Sequence, residues 1–309
     1  MTRSSPEPQS VEFMGVEART YYGRGVIAEP VWTPEVPIYF FTGGLGGAGA
    51  GLALAADLAG NDVLSRRAWM VALAGLGVSP VLLISDLGRP ARFLNMLRVF
   101  KVTSPMSVGT WILSGYAPLA GLAAAAELTG RAPGVGRAAT LGAAGLGPAV
   151  ASYTAALVAD TAVPVWHGAH LELPFVFVGS AATAAAGLGM LAAPGGQAGP
   201  ARRLALLGAA AELGAERMME RRMGAVAEPL HAGRAGSLMR TSKALTVLGA
   251  GIGGILGRRS RAAAVLAGGM LLAGSAATRF GIFEAGMASA RDPRYTVEPQ
   301  RDRVASAAG

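Results

Sequence analysis

Long apolar runs separated by short polar segments dominate the pattern of this chain. Windows of about 19 residues predict eight spanning helices, near 36–58, 66–85, 106–128, 137–159, 173–193, 201–217, 243–257 and 261–284. Most of these runs approach the roughly 20 residues that a helix needs to cross the hydrocarbon core. The sixth contains Glu212 and Glu216, and the seventh is short and rich in glycine. We predict an all-α integral membrane protein built as a bundle of eight transmembrane helices.

The ends of the chain are polar and lie outside this apolar block. We assign 1–35 to a polar N-terminal arm, 36–284 to the eight-helix transmembrane domain and 285–309 to a polar C-terminal tail. The first predicted helix opens Pro37-Ile-Tyr-Phe and the fifth opens Pro174-Phe-Val-Phe, each followed by small residues. This short repeat would divide the bundle into two four-helix halves with parallel topology.

Composition agrees with a membrane protein, since 52% of the residues are hydrophobic and only 15% are charged. The chain has no cysteine, so it cannot form disulfides or supply thiolate ligands to zinc or an iron–sulfur cluster. Any such centre must lie on a partner. The net charge of +8 does not indicate nucleic-acid binding, because the Arg and Lys residues cluster in segments between apolar runs.

The distribution of positive charge predicts the orientation in the membrane. An even number of spans places both termini on one side, and the segments on that side carry most of the 27 Lys and Arg residues. Positive segments stay in the cytoplasm. We therefore expect a multi-pass protein of the cell (inner or plasma) membrane with both termini cytoplasmic.

The stretch GGLGGAGAG, which starts at Gly43, contains the spacing G-x-G-x-x-G of dinucleotide-binding loops. Such a loop follows a strand, whereas these glycines lie inside an apolar run with no charged side chain. We interpret the stretch as part of a transmembrane helix. In such a helix every fourth glycine lines one stripe where a neighbouring helix approaches closely, here Gly43, Gly47 and Gly51.

Polar and aromatic residues cluster at the end of the bundle that carries the termini. They fall in VWTPEVPIY before the first helix, SDLGRPARFLNMLR after the second, and VPVWHGAHLEL before the fifth. A one-sided concentration of this kind is what a headgroup-binding pocket and a docking surface require. The candidate binding and proton-relay residues are Glu35, Tyr39, Asp86, Arg89, Tyr153, Trp166, His167 and His170.

The aromatic and histidine candidates each have an alternative role. Tyr153 near the end of the fourth helix offers a phenol donor, or it is an interfacial tyrosine. His167 and His170 can carry protons because imidazole titrates near neutral pH, or they are ordinary loop histidines. Together with Glu172 they have the spacing of metal ligands, but no fourth ligand is evident.

The acidic candidates lie at the membrane boundary. Asp86 directly follows an apolar run, where a carboxylate is a functional candidate, or it is a turn residue paired with Arg89 or Arg92. Glu35 and Tyr39 are about one turn apart and face the same side of the first helix. Glu35 then serves as a proton relay, or its carboxylate only interacts favourably with the positive N-terminal end of the helix dipole.

Four segments together resemble the NrfD/PsrC family, the membrane subunits of polysulfide-reductase-type molybdopterin oxidoreductases. They are PIYFFTGGLGGAGA, LLISDLGRPARFLNMLRVFKVTSPMSVGTWIL, SYTAALVADTAVPVWHGAHLELPFVFVGSAA and AGMASARDP. The resemblance implies an eight-helix, haem-free protein that binds a quinone (menaquinone or ubiquinone). It also implies two partners, a ferredoxin-like subunit with [4Fe–4S] clusters and a molybdopterin catalytic subunit of the formate dehydrogenase, polysulfide or thiosulfate reductase, or nitrite reductase type.

The histidines agree with a haem-free protein. A bis-histidine haem takes its ligands from within the spans, whereas His167, His170 and His231 fall in predicted loops. Two alternatives to quinone chemistry remain at this level. A stand-alone secondary transporter would place its site near the bilayer midplane, and a structural anchor would hold soluble subunits without binding quinone.

Overall fold

The computed structural model describes residues 10–13, 16–19, 26–86, 95–194 and 196–308. The first described elements are two short strands, β1 (Ser10–Phe13) and β2 (Val16–Arg19), which pair antiparallel with Ser10 opposite Arg19. The remaining described elements are helices.

Ten α-helices follow in the described part of the chain. They are α1 (Glu35–Asp57), α2 (Asp62–Asp86), α3 (Pro105–Thr129), α4 (Pro133–Ala159), α5 (Pro164–Gly168), α6 (Leu173–Ala192), α7 (Gly199–Met223), α8 (Gly233–Ile255), α9 (Arg261–Arg291) and α10 (Arg294–Ala308). A 3₁₀ helix, Gly224–Leu230, connects α7 to α8.

Six of the described helices are long and apolar enough to cross a membrane: α1, α2, α3, α4, α6 and α9. Helices α7 and α8 have comparable lengths of 25 and 23 residues but are more polar, and they match the sixth and seventh predicted spans. The all-α, multi-pass membrane class is therefore confirmed. The count of eight transmembrane helices stays a prediction.

Three helices extend beyond their predicted bounds by six residues or more at one end. Helix α7 continues to Met223, α8 begins at Gly233, and α9 continues to Arg291. The added turns are polar, so a hydropathy window does not detect them. Packing holds them in place, because each contains a methionine that is buried in the core: Met223 of α7, Met239 of α8 and Met287 of α9.

The long helices form two groups, α1–α4 and α6–α9, joined mainly by α1 and α6. Helix α1 packs on α2, α4, α6 and α9, whereas α6 packs on α1, α4, α7 and α9. The starts of α1 and α6 and the ends of α4, α7 and α9 come together at one end of the bundle. We call this end the terminal face, and contacts such as that between Glu172 and Arg222 link its segments.

Glycines allow α1 to lie close to several neighbours at once. Gly47 faces Gly147 of α4 so closely that a Cβ on either residue would overlap the other's carbonyl oxygen. Gly46 and Gly49 face the α2 backbone, and Gly44 faces α6 and α9. The glycines therefore serve several interfaces.

This arrangement corrects the predicted stripe of Gly43, Gly47 and Gly51. A Cβ at Gly43 would meet only the Ser79 hydroxyl, at an ordinary 3.6 Å, and a Cβ at Gly51 would meet nothing within 4 Å. Only Gly47 makes the predicted close approach. The reason is that α1 is surrounded by neighbours, so several of its faces need small residues rather than one.

Arginines cap helix ends on the face opposite the terminal face. Arg261 donates to the carbonyls of Met190 and Leu191 at 2.6 Å, and Arg67 donates to the carbonyl of Ala192. These carbonyls belong to the last turn of α6 and have no partner within that helix. A cation there also interacts favourably with the negative end of the helix dipole.

Candidate functional site

A cavity of about 250 Å³ lies between α1, α2, α3 and α4. Its walls are mostly apolar, and two phenols, those of Tyr39 and Tyr153, contribute to them. Other lining residues are Leu76, Pro80, Leu83, Met106, Gly109 and Leu113. An apolar cavity with a few polar groups is the usual form of a small-molecule site.

A second, smaller cavity of about 80 Å³ adjoins the first. The two share Tyr39, Leu83, Met106 and Leu157 as lining residues. The second cavity is also lined by Glu35, which is exposed at the start of α1. The two cavities together therefore extend from the terminal face, at Glu35, into the bundle past Tyr39.

Tyr39 and Tyr153 form an edge-to-face pair across the site. Their ring centroids lie 6.4 Å apart with an interplanar angle of 69°. The residues are only 4% and 8% exposed, and neither hydroxyl has a hydrogen-bond partner among the described residues. Both hydroxyls are therefore available to donate to a bound molecule.

Prolines in two helices lie beside the same cavity. Pro80 lies inside α2 and Pro118 lies inside α3. Because proline has no N–H, the carbonyls four residues earlier, at Leu76 and Ser114, lose their helical partners. Leu76 and Ser114 both line the cavity. Spanning helices tolerate proline because neighbouring groups can bond the freed carbonyls. In α2 and α3 these prolines lie beside the cavity.

Trp166 packs against a residue that lines the smaller cavity. Its indole is completely buried, stacks on Trp32 with centroids 5.2 Å apart, and donates from Nε1 to the Ile282 carbonyl at 2.8 Å. Trp32 itself lines the smaller cavity. The candidate Trp166 therefore lies one residue away from the cavity wall.

His167 and His170 lie together at the terminal face but line neither cavity. Their rings stack with centroids 5.7 Å apart. His167 Nδ1 lies 3.1 Å from the Ala159 carbonyl, and His170 Nδ1 lies 2.9 Å from the His167 carbonyl. The structure thus corrects the predicted loop position of His167, which lies in the short helix α5, while His170 lies in the turn that follows.

Glu172 has an arginine partner. Arg222 of α7 approaches its two carboxylate oxygens at 2.6 and 2.5 Å and also donates to the Gly168 carbonyl. The hydrogen bond from Arg222 lowers the pKa of the Glu172 carboxyl below its ordinary value. Within the described residues no group of three or more His, Asp or Glu side chains could hold a metal ion.

The two candidates of the Asp-Leu-Gly-Arg-Pro segment are only partly placed. Asp86 is the last residue of α2, and the position of its side chain lies outside the described structure. Arg89 lies outside the described residues. Their predicted pairing stays a prediction.

Several buried polar residues are not among the candidate residues predicted from the sequence. Tyr116 of α3 is completely buried and donates to the Gly46 carbonyl of α1 at 2.6 Å. Glu212 and Arg279 are also completely buried. For Glu212 and Arg279 the signal in the sequence is a charge within a predicted span, which indicates function in a membrane protein by default. A tyrosine such as Tyr116 gives no such signal.

The family assignment rests on most of the chain. The family model NrfD_2, described as polysulfide reductase, matches residues 19–292, a range that contains both cavities and α1 to α9. A comparison with curated proteins finds no match. Members of the NrfD family are membrane subunits of molybdopterin oxidoreductase complexes. The sequence match and the multi-pass helical fold together show that this chain belongs to the NrfD family of polysulfide-reductase-type membrane subunits.

Proposed function

We propose that this chain is the quinone-reactive membrane anchor of a molybdopterin and iron–sulfur oxidoreductase. It exchanges electrons between a [4Fe–4S] cluster of a partner and the membrane quinone pool. The observation that carries the proposal is the pair of adjoining apolar cavities with the phenols of Tyr39 and Tyr153 in their walls.

The cavities suit an isoprenoid quinone in chemistry and in size. Their apolar walls match the ring and the first part of the tail, and their combined volume is near the lower end of the roughly 300–1,000 Å³ that small-molecule sites span. Tyr39 and Tyr153 donate hydrogen bonds to the quinone oxygens. These bonds strengthen as negative charge develops on the oxygens during reduction.

Reduction of a quinone to a quinol takes two electrons and two protons. The electrons come from the partner cluster, and the protons come from water. Glu35 is exposed and lines the smaller cavity, so it takes up protons at the terminal face and delivers them toward the Tyr39 end of the site. The reverse sequence oxidises the quinol.

The partners in this proposal are a ferredoxin-like iron–sulfur subunit and a molybdopterin catalytic subunit, which dock on the terminal face. That face carries Arg291 and Arg294, which pair with Glu29 and Glu228. With both termini in the cytoplasm, the partners are cytoplasmic as well.

The experiment is a pull-down of the tagged chain from its native membrane in a mild detergent. Mass spectrometry identifies the captured proteins, and the sample is assayed for molybdenum, iron, haem and extractable quinone. Recovery of a molybdopterin protein, a ferredoxin-like protein and quinone supports the proposal. Partners without quinone would favour the structural anchor, and a chain that is captured alone and metal-free would favour the transporter.

A further inference from the structure

Three glutamates form a row on one face of α7. Glu212, Glu216 and Glu220 follow each other at intervals of four residues, which places them on the same side of the helix. Glu212 is completely buried and Glu216 is 1% exposed, whereas the Glu220 side chain is 21% exposed. Helix α7 ends at the terminal face, so the row runs from that face to a depth of about 16 Å.

The deepest member, Glu212, lies within hydrogen-bond distance of two threonine hydroxyls. Its carboxylate accepts from Thr278 at 2.7 Å and from Thr183 at 3.3 Å. The Thr278 hydroxyl lies 2.5 Å from that of Ser242. The buried guanidinium of Arg279 also interacts electrostatically with Glu212. Glu212 therefore has hydrogen-bonding partners on two neighbouring helices.

The middle member, Glu216, has no such support. Neither of its carboxylate oxygens has a hydrogen-bond partner among the described residues. The Lys243 ammonium lies 3.7 Å away, but it makes its hydrogen bond to Glu220, at 2.6 Å. An ionised carboxylate that is buried without donors is strongly destabilising. The structure therefore contains a buried acid whose charge is not compensated.

A count of charges around the row also shows an excess of negative charge. Three carboxylates face two cations, Lys243 of α8 and Arg279 of α9. The other nearby groups do not alter this balance. Helix α6 contributes only the hydroxyls of Ser180 and Thr183, Arg217 and Arg221 of α7 are exposed, and His231 meets Glu220 at 3.9 Å near the surface. One additional proton makes the buried group neutral.

We propose that Glu216 is a proton-binding site that is loaded from the terminal face. The proton passes from water to the Glu220 and Lys243 end of the row, then to the Glu216 carboxylate, with Glu212 as the next acceptor. No electron moves in this step. The row lies between helices of the α6–α9 group and shares no residue with the two cavities, so it is a second site beyond the proposed quinone site.

The test uses infrared spectroscopy of the purified full chain in lipid nanodiscs. A protonated carboxyl has a carbonyl stretch that is distinct from the carboxylate bands and shifts in D₂O. We expect one such band at neutral pH, which titrates away as the pH rises toward about 10, within the range known for buried glutamates. The band should be lost in Glu216→Gln and kept in Glu228→Gln, whose side chain is 51% exposed and paired with Arg294.

Two further variants test the charge balance without removing Glu216. Glu220→Gln removes one negative charge, so the band should titrate at lower pH than in the native chain. Lys243→Met removes one positive charge, so the band should titrate at higher pH or grow. These variants and the native titration decide the question even if Glu216→Gln does not fold.

Three results would overturn the proposal. The first is the absence of a titrating band in the native chain, and the second is a band that persists in a folded Glu216→Gln protein. The third is a band that disappears at constant pH when sodium replaces choline in the buffer, because it would assign the row to a metal cation. None of these results depends on quinone binding, so the two proposals fail separately.

Discussion

Gly109 of α3 lies against the ring of Tyr153 so closely that a Cβ at position 109 would overlap the ring atoms Cδ2 and Cε2. Glycine is therefore the residue that allows this phenol to occupy the cavity wall. The substitution Gly109→Ala should displace the Tyr153 ring and weaken quinone binding by at least about tenfold, since it disturbs both the cavity shape and a hydrogen-bond donor.

Quinone binding to the purified chain, followed by fluorescence quenching or calorimetry, measures this effect. The matched control is Gly121→Ala on the same helix, where a Cβ would meet nothing within 4 Å. Equal affinities for the two variants would show that the position of Tyr153 does not matter for binding.

The phenol hydroxyls should each contribute one hydrogen bond to the quinone. Tyr39→Phe and Tyr153→Phe keep the rings, so the cavity retains its shape while a donor is lost. A net hydrogen bond of about 0.5–1.5 kcal/mol corresponds to roughly a two- to tenfold weaker affinity for each variant. Tyr295→Phe, outside the cavities, should bind as the native chain does; a similar loss there would indicate a general effect on folding.

The sequence predicted the helices better than the site. Spanning helices are evident in sequence because apolar length is a local property, and the clustering of polar residues at one end follows from the order of the helices. The polar turns of α7 and α8 escape a hydropathy window because burial of single residues, Met223 and Met239, holds them in place.

Contacts between distant helices explain the other differences. Tyr39 and Tyr153 were selected individually, but only the packing of α1 on α4 shows that their rings meet. The histidines were selected for their chemistry and lie outside the cavities. The partners of Glu212 come from α6 and α9, so its environment depends on pairings that no local pattern encodes.

The ion pair between Glu172 and Arg222 should give a pH-dependent stability. Because Arg222 lowers the pKa of Glu172, the pair stabilises the folded chain above the ordinary glutamate pKa of about 4.3. This contribution is lost as the pH falls through the lowered value. Arg222 is about a third exposed, so solvent screening limits the effect to about 1 kcal/mol.

Thermal unfolding in detergent at several pH values tests this expectation. The native chain should be more stable than Glu172→Gln near neutral pH, and the difference should shrink below about pH 4. Glu228→Gln, which removes a more exposed pair with Arg294, should have a smaller effect. A difference between native and Glu172→Gln that does not change with pH would contradict an ionic origin.

Gly286 of α9 should be essential for the position of Trp166. A Cβ at position 286 would overlap the indole ring, which is completely buried between Trp32 and α9. Gly286→Ala should therefore destabilise the chain by about 1–3 kcal/mol, as overpacking of a core does. Gly269→Ala in the same helix, where a Cβ would have open space, should leave the melting temperature nearly unchanged.

The contact between Gly47 and Gly147 gives a direct test of which glycines hold α1 in place. A methyl group at Gly47 would overlap the Gly147 carbonyl, so Gly47→Ala should force α1 and α4 apart and lower stability by about 1–3 kcal/mol. Gly51→Ala lies on the same helix, belongs to the same predicted stripe and adds the same methyl group, but into open space. It should be neutral or slightly stabilising, because alanine favours the helix over glycine by about 1 kcal/mol.

Thermal unfolding of the two variants compares them directly. Similar destabilisation of both variants would support a single stripe of packing glycines. A loss of stability in Gly47→Ala alone would assign the close approach to the α1–α4 interface.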